Sequence, residues 1–303
     1  IPAEAIDVGF VSYRLSRVSM EGSIYTIAPR IIMPEMSVSM PAGVTRRFWL
    51  TVKVPAGAAP GVYTGAIEVA VNGHATSLPL EFEVLPGVLD PVDVPAGSWG
   101  HTIDTPWYGN DPKAAARNRL MAQKSLAKLR EYGFTTFSGM PAVSYGGFKG
   151  GKPVFDFSRP DEQMRMAREA GFTMPVTNYV RFGGLDLYYK DEKAMKAAGF
   201  SDYSEFIKAV WTPLQRHSEE ADWLPVYWNL ADEPIGDNLT RSIENAAAYR
   251  KAFPQGPPFF TGATSFRGDD GDDPHFLLSK ELHAANINGH DEPGINALHA
   301  AGG

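Results

Sequence analysis

The sequence contains no cysteine, which excludes disulfides, thiol nucleophiles and cysteine-ligated zinc. It has no apolar run long enough to span a bilayer. It also lacks any basic run. The 28 Lys and Arg against 35 Asp and Glu leave a net charge of −7, and without a basic run neither a nucleic acid nor an acidic membrane surface is the expected partner. The opening Ile1-Pro2-Ala3-Glu4 has no Met, no basic start and no apolar core, so no secretory leader is visible and the chain reads as processed or truncated. Absence of cysteine fits a bacterial exported protein, and the expected location is secreted or periplasmic. His217, His283 and His299 show no metal-ligand spacing. The acidic stretch Asp269-Asp270-Gly271-Asp272-Asp273 lacks the spacing and terminal Glu of a calcium loop. No catalytic metal and no cofactor are expected.

What is present is enough chain for two cores, or for one barrel with an added module: 303 residues, 44% of them hydrophobic. Six Trp and 12 Tyr supply rings that stack on sugar faces, although a large core uses the same residues. The pattern changes near residue 90. Before it, alternation dominates over Ile6–Tyr13, Val44–Val54, Gly61–Val71 and Thr76–Val84. Asn72-Gly73 between two such runs is a strong hairpin signal, and residues 1–90 read as an antiparallel β-sandwich domain. Leu85-Pro86-Gly87 through Pro95-Ala96-Gly97 is the linker.

From residue 97 to 303, short apolar strands alternate with amphipathic helices. Strands are expected over Ser98–Ile103, Phe134–Phe137, Met174–Val180, Leu224–Leu230, Pro258–Gly262 and Ala284–Asn288. Helices are expected over Asp111–Tyr132, Pro160–Ala170, Tyr203–Glu219, Leu239–Phe253 and Pro274–Leu282. Repeated strand–helix units imply a parallel sheet, and six in series suggest a (β/α)8 TIM-type barrel catalytic domain that stops after strand six. The competing architecture is an open doubly wound sheet. It is disfavoured because no glycine-rich phosphate fingerprint follows the first strand.

Barrel chemistry sits at strand C-termini. The fourth strand ends Trp228-Asn229-Leu230-Ala231-Asp232-Glu233-Pro234. Two adjacent carboxylates repel, which raises one pKa and suits it to protonate a glycosidic oxygen near neutral pH. Pro234 bars Glu233 from helical backbone and favours an extended one. The plainer alternative is a pair of solvated acids ahead of a helix, and Asp291-Glu292-Pro293 repeats the tripeptide elsewhere. Further strand-end candidates for sugar binding are His101, Asp104 and Trp107, with Tyr108 beside them. Asn178, Tyr179 and Arg181 follow strand three, and Asn288 and His290 follow strand six. Tyr227 stands ahead of the acids, and Trp228 reads as core or barrel wall.

The segment Ala42-Gly43-Val44-Thr45-Arg46-Arg47-Phe48-Trp49, with Val54-Pro55-Ala56-Gly57-Ala58-Ala59-Pro60-Gly61-Val62-Tyr63-Thr64-Gly65, resembles the sandwich module that precedes the barrel in glycoside hydrolase family 123. The strand ending Asp232-Glu233-Pro234 is similar to that family's acid pair. The resemblance implies an exo-β-N-acetylgalactosaminidase in which the substrate's own 2-acetamido oxygen attacks the anomeric carbon. By position, Glu233 would be the acid/base, and Asp232 would orient and stabilise the acetamido group. The partner so implied is a glycan with a terminal N-acetylhexosamine; assembly into an oligomer is left open. Two other functions stay open on the sequence: a non-catalytic carbohydrate-binding or scaffold protein, and a two-carboxylate retaining glycosidase acting on another hexose.

Overall fold

The computed structural model describes residues 1–18, 22–98, 112–178, 182–263, 274–287 and 296. The chain divides into two compact units, Ile1–Asp90 and Pro91–Gly303.

The first unit is antiparallel. β1 (Ile6–Arg17) pairs with β2 (Tyr25–Met33) on one side and β3 (Phe48–Val52) on the other. β4 (Gly61–Val71) and β5 (His74–Val84) form a hairpin in unbroken register from Gly61↔Val84 to Val71↔His74. Its two-residue turn is Asn72-Gly73, with both φ positive at 50° and 81°, the geometry that a tight hairpin requires and that these two residue types tolerate best. β2 carries no clean alternation, and its Pro29 removes a ladder donor. It survives as an edge strand through a bulge, where Ser12 faces Ile31 but Tyr13 faces Pro29 and Arg30 is left over.

The second unit alternates strands and helices. Two strands, β6 (Gly97–Ser98) and β7 (Thr136–Phe137), pair in parallel. A bridge from Ser138 to Thr177, with the Gly139 N–H donating to the Thr177 carbonyl at 2.9 Å, links β7 to the next strand. Then β10 (Val176–Asn178), β11 (Val226–Asp232), β12 (Phe259–Ala263) and β13 (Ala284–Ile287) form a four-stranded parallel sheet in chain order. Between β7 and β10 the chain inserts an antiparallel hairpin, β8 (Ser144–Lys149) with β9 (Lys152–Asp156). Gly97 backs so closely onto the Thr136 carbonyl that a Cβ there would overlap it.

The helices are α1 (Pro112–Glu131), α2 (Ser158–Glu169), α3 (Glu192–Ala197), α4 (Tyr203–Glu220), α5 (Asp237–Ala252) and α6 (Pro274–Lys280). Asp202 caps α4 by accepting the Glu205 N–H at 3.0 Å, and Asp191 caps α3 through the Ala194 N–H at 2.9 Å. The core of this unit is aromatic. Trp211 of α4 meets Trp228 edge-on at 4.8 Å, Phe259 at 5.4 Å and Tyr249 at 5.8 Å, with all four rings buried. Trp228 is therefore core, packed on the side of the sheet that carries α4. Among the described residues no helix is long and apolar enough to cross a membrane.

Candidate active site

β11 carries the acid pair at its C-terminal end. Asp232 is its last residue, Glu233 follows, and α5 begins at Asp237 after Pro234 and Gly236. Asp232 and Glu233 are exposed, while Pro234 is buried. Burial pushes the Asp232 carboxyl above its ordinary value, and the neighbouring Glu233 charge adds to the rise.

Glu233 is not extended. Its φ is +45°, the left-handed region that non-glycine residues rarely occupy. Pro234 does keep it out of the right-handed helical region. The chain must nonetheless turn at once from strand into helix, and the turn takes Glu233 across to positive φ rather than back to β. Holding a glutamate there costs about 1–3 kcal/mol, a strain that concentrates at functional sites.

A bulge decides which way Asp232 points. Asn229 stands opposite Phe260 and Ala231 opposite Thr261, so Leu230 is an extra residue in β11. Side chains alternate along a strand, and one extra residue moves everything after it to the other face. Without the bulge, Asp232 would share the face of Trp228, packed against α4. With it, Asp232, opposite Gly262, shares the face of Asn229, opposite Phe260. Sequence alternation alone puts the acid on the wrong side, and no residue type in Asn229-Leu230-Ala231 announces the bulge.

The described residues separate some of the other candidates from the acids. Asn178 sits in register with Trp228, hence on the α4 side, where it is buried and donates its Nδ2 to the Pro141 carbonyl at 2.6 Å. The structure does not place it beside Asp232. Tyr227 shares the Asp232 face but stands near the start of β11, five residues earlier, about 15 Å down the strand at ~3.3 Å per residue. It too lies away from the acids. His101, Asp104, Trp107, Tyr108, Tyr179, Arg181, Asn288, His290, the acidic stretch 269–273 and the second Asp-Glu-Pro at 291–293 lie outside the described residues. A cleft of about 420 Å³ is lined by residues 182–189, which follow β10. A second, of about 550 Å³, lies between the β8–β9 hairpin and α3. Neither is lined by Asp232 or Glu233.

Comparison with known proteins places this geometry. Residues 1–71 match the family model described as glycoside hydrolase 123 N-terminal domain. The whole fold is similar to that of a family 123 glycoside hydrolase from Clostridium perfringens, studied for glycolipid glycan hydrolysis. The TM-score is 0.65 at 15% sequence identity, and the match covers 99% of this chain and 59% of that one. The chain thus spans about three-fifths of the length of the enzyme it resembles. A multi-modular, cell-surface chitinase from Paenibacillus sp. is similar at 11% identity over 95% of this chain and 25% of its own, but its TM-score of 0.25 carries no argument. No curated protein sequence matches. The protein is glycoside hydrolase family 123-like, in the sequence of its first domain and in its fold.

Proposed function

We propose that the protein is a glycoside hydrolase that removes terminal N-acetylhexosamine, most simply β-N-acetylgalactosamine, by substrate-assisted retaining catalysis. In this reading the parallel strands β6, β7 and β10–β13 are the first six of a (β/α)8 barrel, and the acid pair lies at its catalytic end. Glu233 gives its proton to the leaving glycosidic oxygen as the 2-acetamido oxygen attacks the anomeric carbon. Asp232 accepts the acetamido N–H and stabilises the positive charge on the cyclised group. Glu233 then takes a proton from the water that reopens the ring, returning enzyme and sugar with retained configuration.

The observation that carries the reading is the Leu230 bulge, which turns Asp232, the residue before Glu233, onto the face away from α4 in a fold similar to family 123. Bulges recur beside active sites because they re-aim a side chain. Adjacent residues on one strand end also cannot flank a glycosidic bond from opposite faces as a nucleophile and acid must. In this reading the substrate's own acetamido group supplies the nucleophile, whereas a two-carboxylate enzyme would take it from another strand. His101, Asp104, Trp107, Tyr179, Arg181, Asn288 and His290 follow strand ends in the sequence and are proposed as contacts to sugar hydroxyls.

The test is release of nitrophenol from the β-N-acetylgalactosaminide and the plain β-galactoside by the intact protein. Release from the acetamido sugar alone is expected. Equal rates on both would overturn acetamido participation and favour a two-carboxylate mechanism. Binding of glycans without release from any glycoside would leave a carbohydrate-binding protein.

A further inference from the structure

The Leu230 bulge is held by a side chain. Asn229 is 2% exposed, and its Oδ1 accepts the Ala231 N–H at 3.3 Å, reaching across the extra residue. Its Nδ2 donates to the Tyr188 hydroxyl at 3.3 Å. Asparagine suits this place because one carboxamide both accepts and donates, and its short side chain closes a ring to the backbone two residues on.

Tyr188 is in turn fixed. Its backbone N–H donates to Asp186 Oδ1 at 2.8 Å. Asn245 of α5, fully buried, donates to the Leu187 carbonyl at 2.8 Å. The Arg241 guanidinium, also from α5, lies 4.2 Å over the Tyr189 ring. Segment 186–189 is therefore tied to α5 on one side and to Asn229 on the other. Asp232 ends β11 and Glu233 opens the short connection to α5, so the elements on both sides of the pair are anchored to the same segment.

We propose that Asn229 is the positioning residue of the acid pair: through Ala231 and Tyr188 it fixes the bulge that turns Asp232 off the helix-packed face and sets the turn at Glu233. The proposal rests on the reading that this pair is catalytic. It assigns Asn229 no contact with substrate. Its loss should act on chemistry rather than on binding, because a displacement of about 1 Å in a catalytic group can cost ~10²-fold in rate.

The experiment compares Asn229→Ala, Asn229→Asp and Tyr188→Phe in the intact protein. Two quantities are read: the carbon-13 titration of the Asp232 carboxyl, which needs no turnover, and kcat with KM on the acetamido substrate. Asn229→Ala should lower kcat by about 10–100-fold, leave KM nearly unchanged, and move the Asp232 midpoint down towards an ordinary aspartate as its burial is lost. Asn229→Asp keeps the acceptor for Ala231 and should restore most of kcat. A folded Asn229→Ala with an unmoved Asp232 midpoint and wild-type kcat overturns the proposal. Should Asn229→Ala fail to fold, Tyr188→Phe decides: it removes one anchor only and should move the midpoint in the same direction, and an unmoved midpoint overturns the proposal. If Glu233→Gln keeps wild-type kcat, the catalytic reading falls while the titration still reports whether Asn229 holds Asp232.

Discussion

The ring of Phe157 lies flat on the imidazole of His217, with centroids 3.8 Å apart and planes 8° from parallel. Asp161 completes the arrangement. Its Oδ1 lies 2.8 Å from His217 Nε2 and accepts the Trp223 Nε1–H at 2.8 Å. One carboxylate thus ties α2 to the end of α4 and to the turn that leads into β11. Asp161→Ala should destabilise the protein by about 1–3 kcal/mol, towards the low end because the carboxylate is partly exposed. Thermal unfolding checks this. An unchanged midpoint would mean that the stacked rings alone hold the junction.

Glu233→Gln should lower turnover by about 10²–10⁴-fold, the usual share of general acid–base catalysis. Glu233→Asn should do the same and also raise thermal stability by up to ~1 kcal/mol, since asparagine tolerates positive φ better than glutamate. Asp291→Asn and Glu292→Gln serve as controls, with smaller losses expected. Wild-type turnover in Glu233→Gln would remove it from the mechanism.

Asp232→Asn should cut kcat strongly while KM stays within a few-fold, because the charge it stabilises exists only along the reaction path. A thiazoline mimic of the cyclised intermediate should inhibit wild type well and Asp232→Asn poorly. If the thiazoline fails to bind wild type, the role given to Asp232 fails with it.

His283 sets a pH dependence. Its Nδ1 accepts the Phe259 N–H at 3.2 Å, and Arg250 Nη1 stands 3.4 Å from its Nε2. Burial, and then the Arg250 charge, hold its pKa below the ordinary 6.5. As pH falls through 6.5 the unfolded chain therefore binds a proton that the folded one does not, and stability declines. Asp232 works in the other sense: its raised pKa means that the folded state gains the proton first, so its contribution improves as pH drops below its folded pKa. Thermal scans should show wild type losing stability as pH falls below about 6.5. His283→Asn, which can still accept the Phe259 N–H, should flatten that loss; an identical slope in wild type and variant would clear His283 of any part in it.

Much of this was legible in the sequence because burial periodicity is a local property. The expected helix over Tyr203–Glu219 is α4, Tyr203–Glu220, and Leu239–Phe253 is α5, Asp237–Ala252. Asn72-Gly73 places its hairpin because those two residue types meet the positive φ values at little cost. Most of what escaped depends on partners far along the chain. The β8–β9 hairpin is different: its signal is local, Gly150-Gly151 with both φ positive at 59° and 75° between paired Lys149 and Lys152, and the sequence reading passes over it because the flanking runs are short; β2 is broken by Pro29. The Leu230 bulge exists only relative to the register of β12. The acid pair was visible as residue types, but its direction, its positive φ and the Asn229 contact that holds it are facts of pairing and packing, and no spacing encodes them.

The first residues of the second unit limit how such proteins can be recombined. Thr135 stitches the incoming chain: its N–H donates to the Ala96 carbonyl at 2.8 Å, its hydroxyl accepts the Ala96 N–H at 2.7 Å and donates to the Val94 carbonyl at 2.6 Å. One residue on, Gly97 leaves no room for a side chain against Thr136. A foreign module grafted ahead of this α/β unit must therefore be spliced upstream of Val94. Grafts that replace Val94–Gly97 would lose the first parallel pairing, however well the new module folds, whereas exchange within 85–93 leaves it intact. The seam at which evolution or an engineer can swap front modules is thus set by three consecutive peptide groups and one absent methyl.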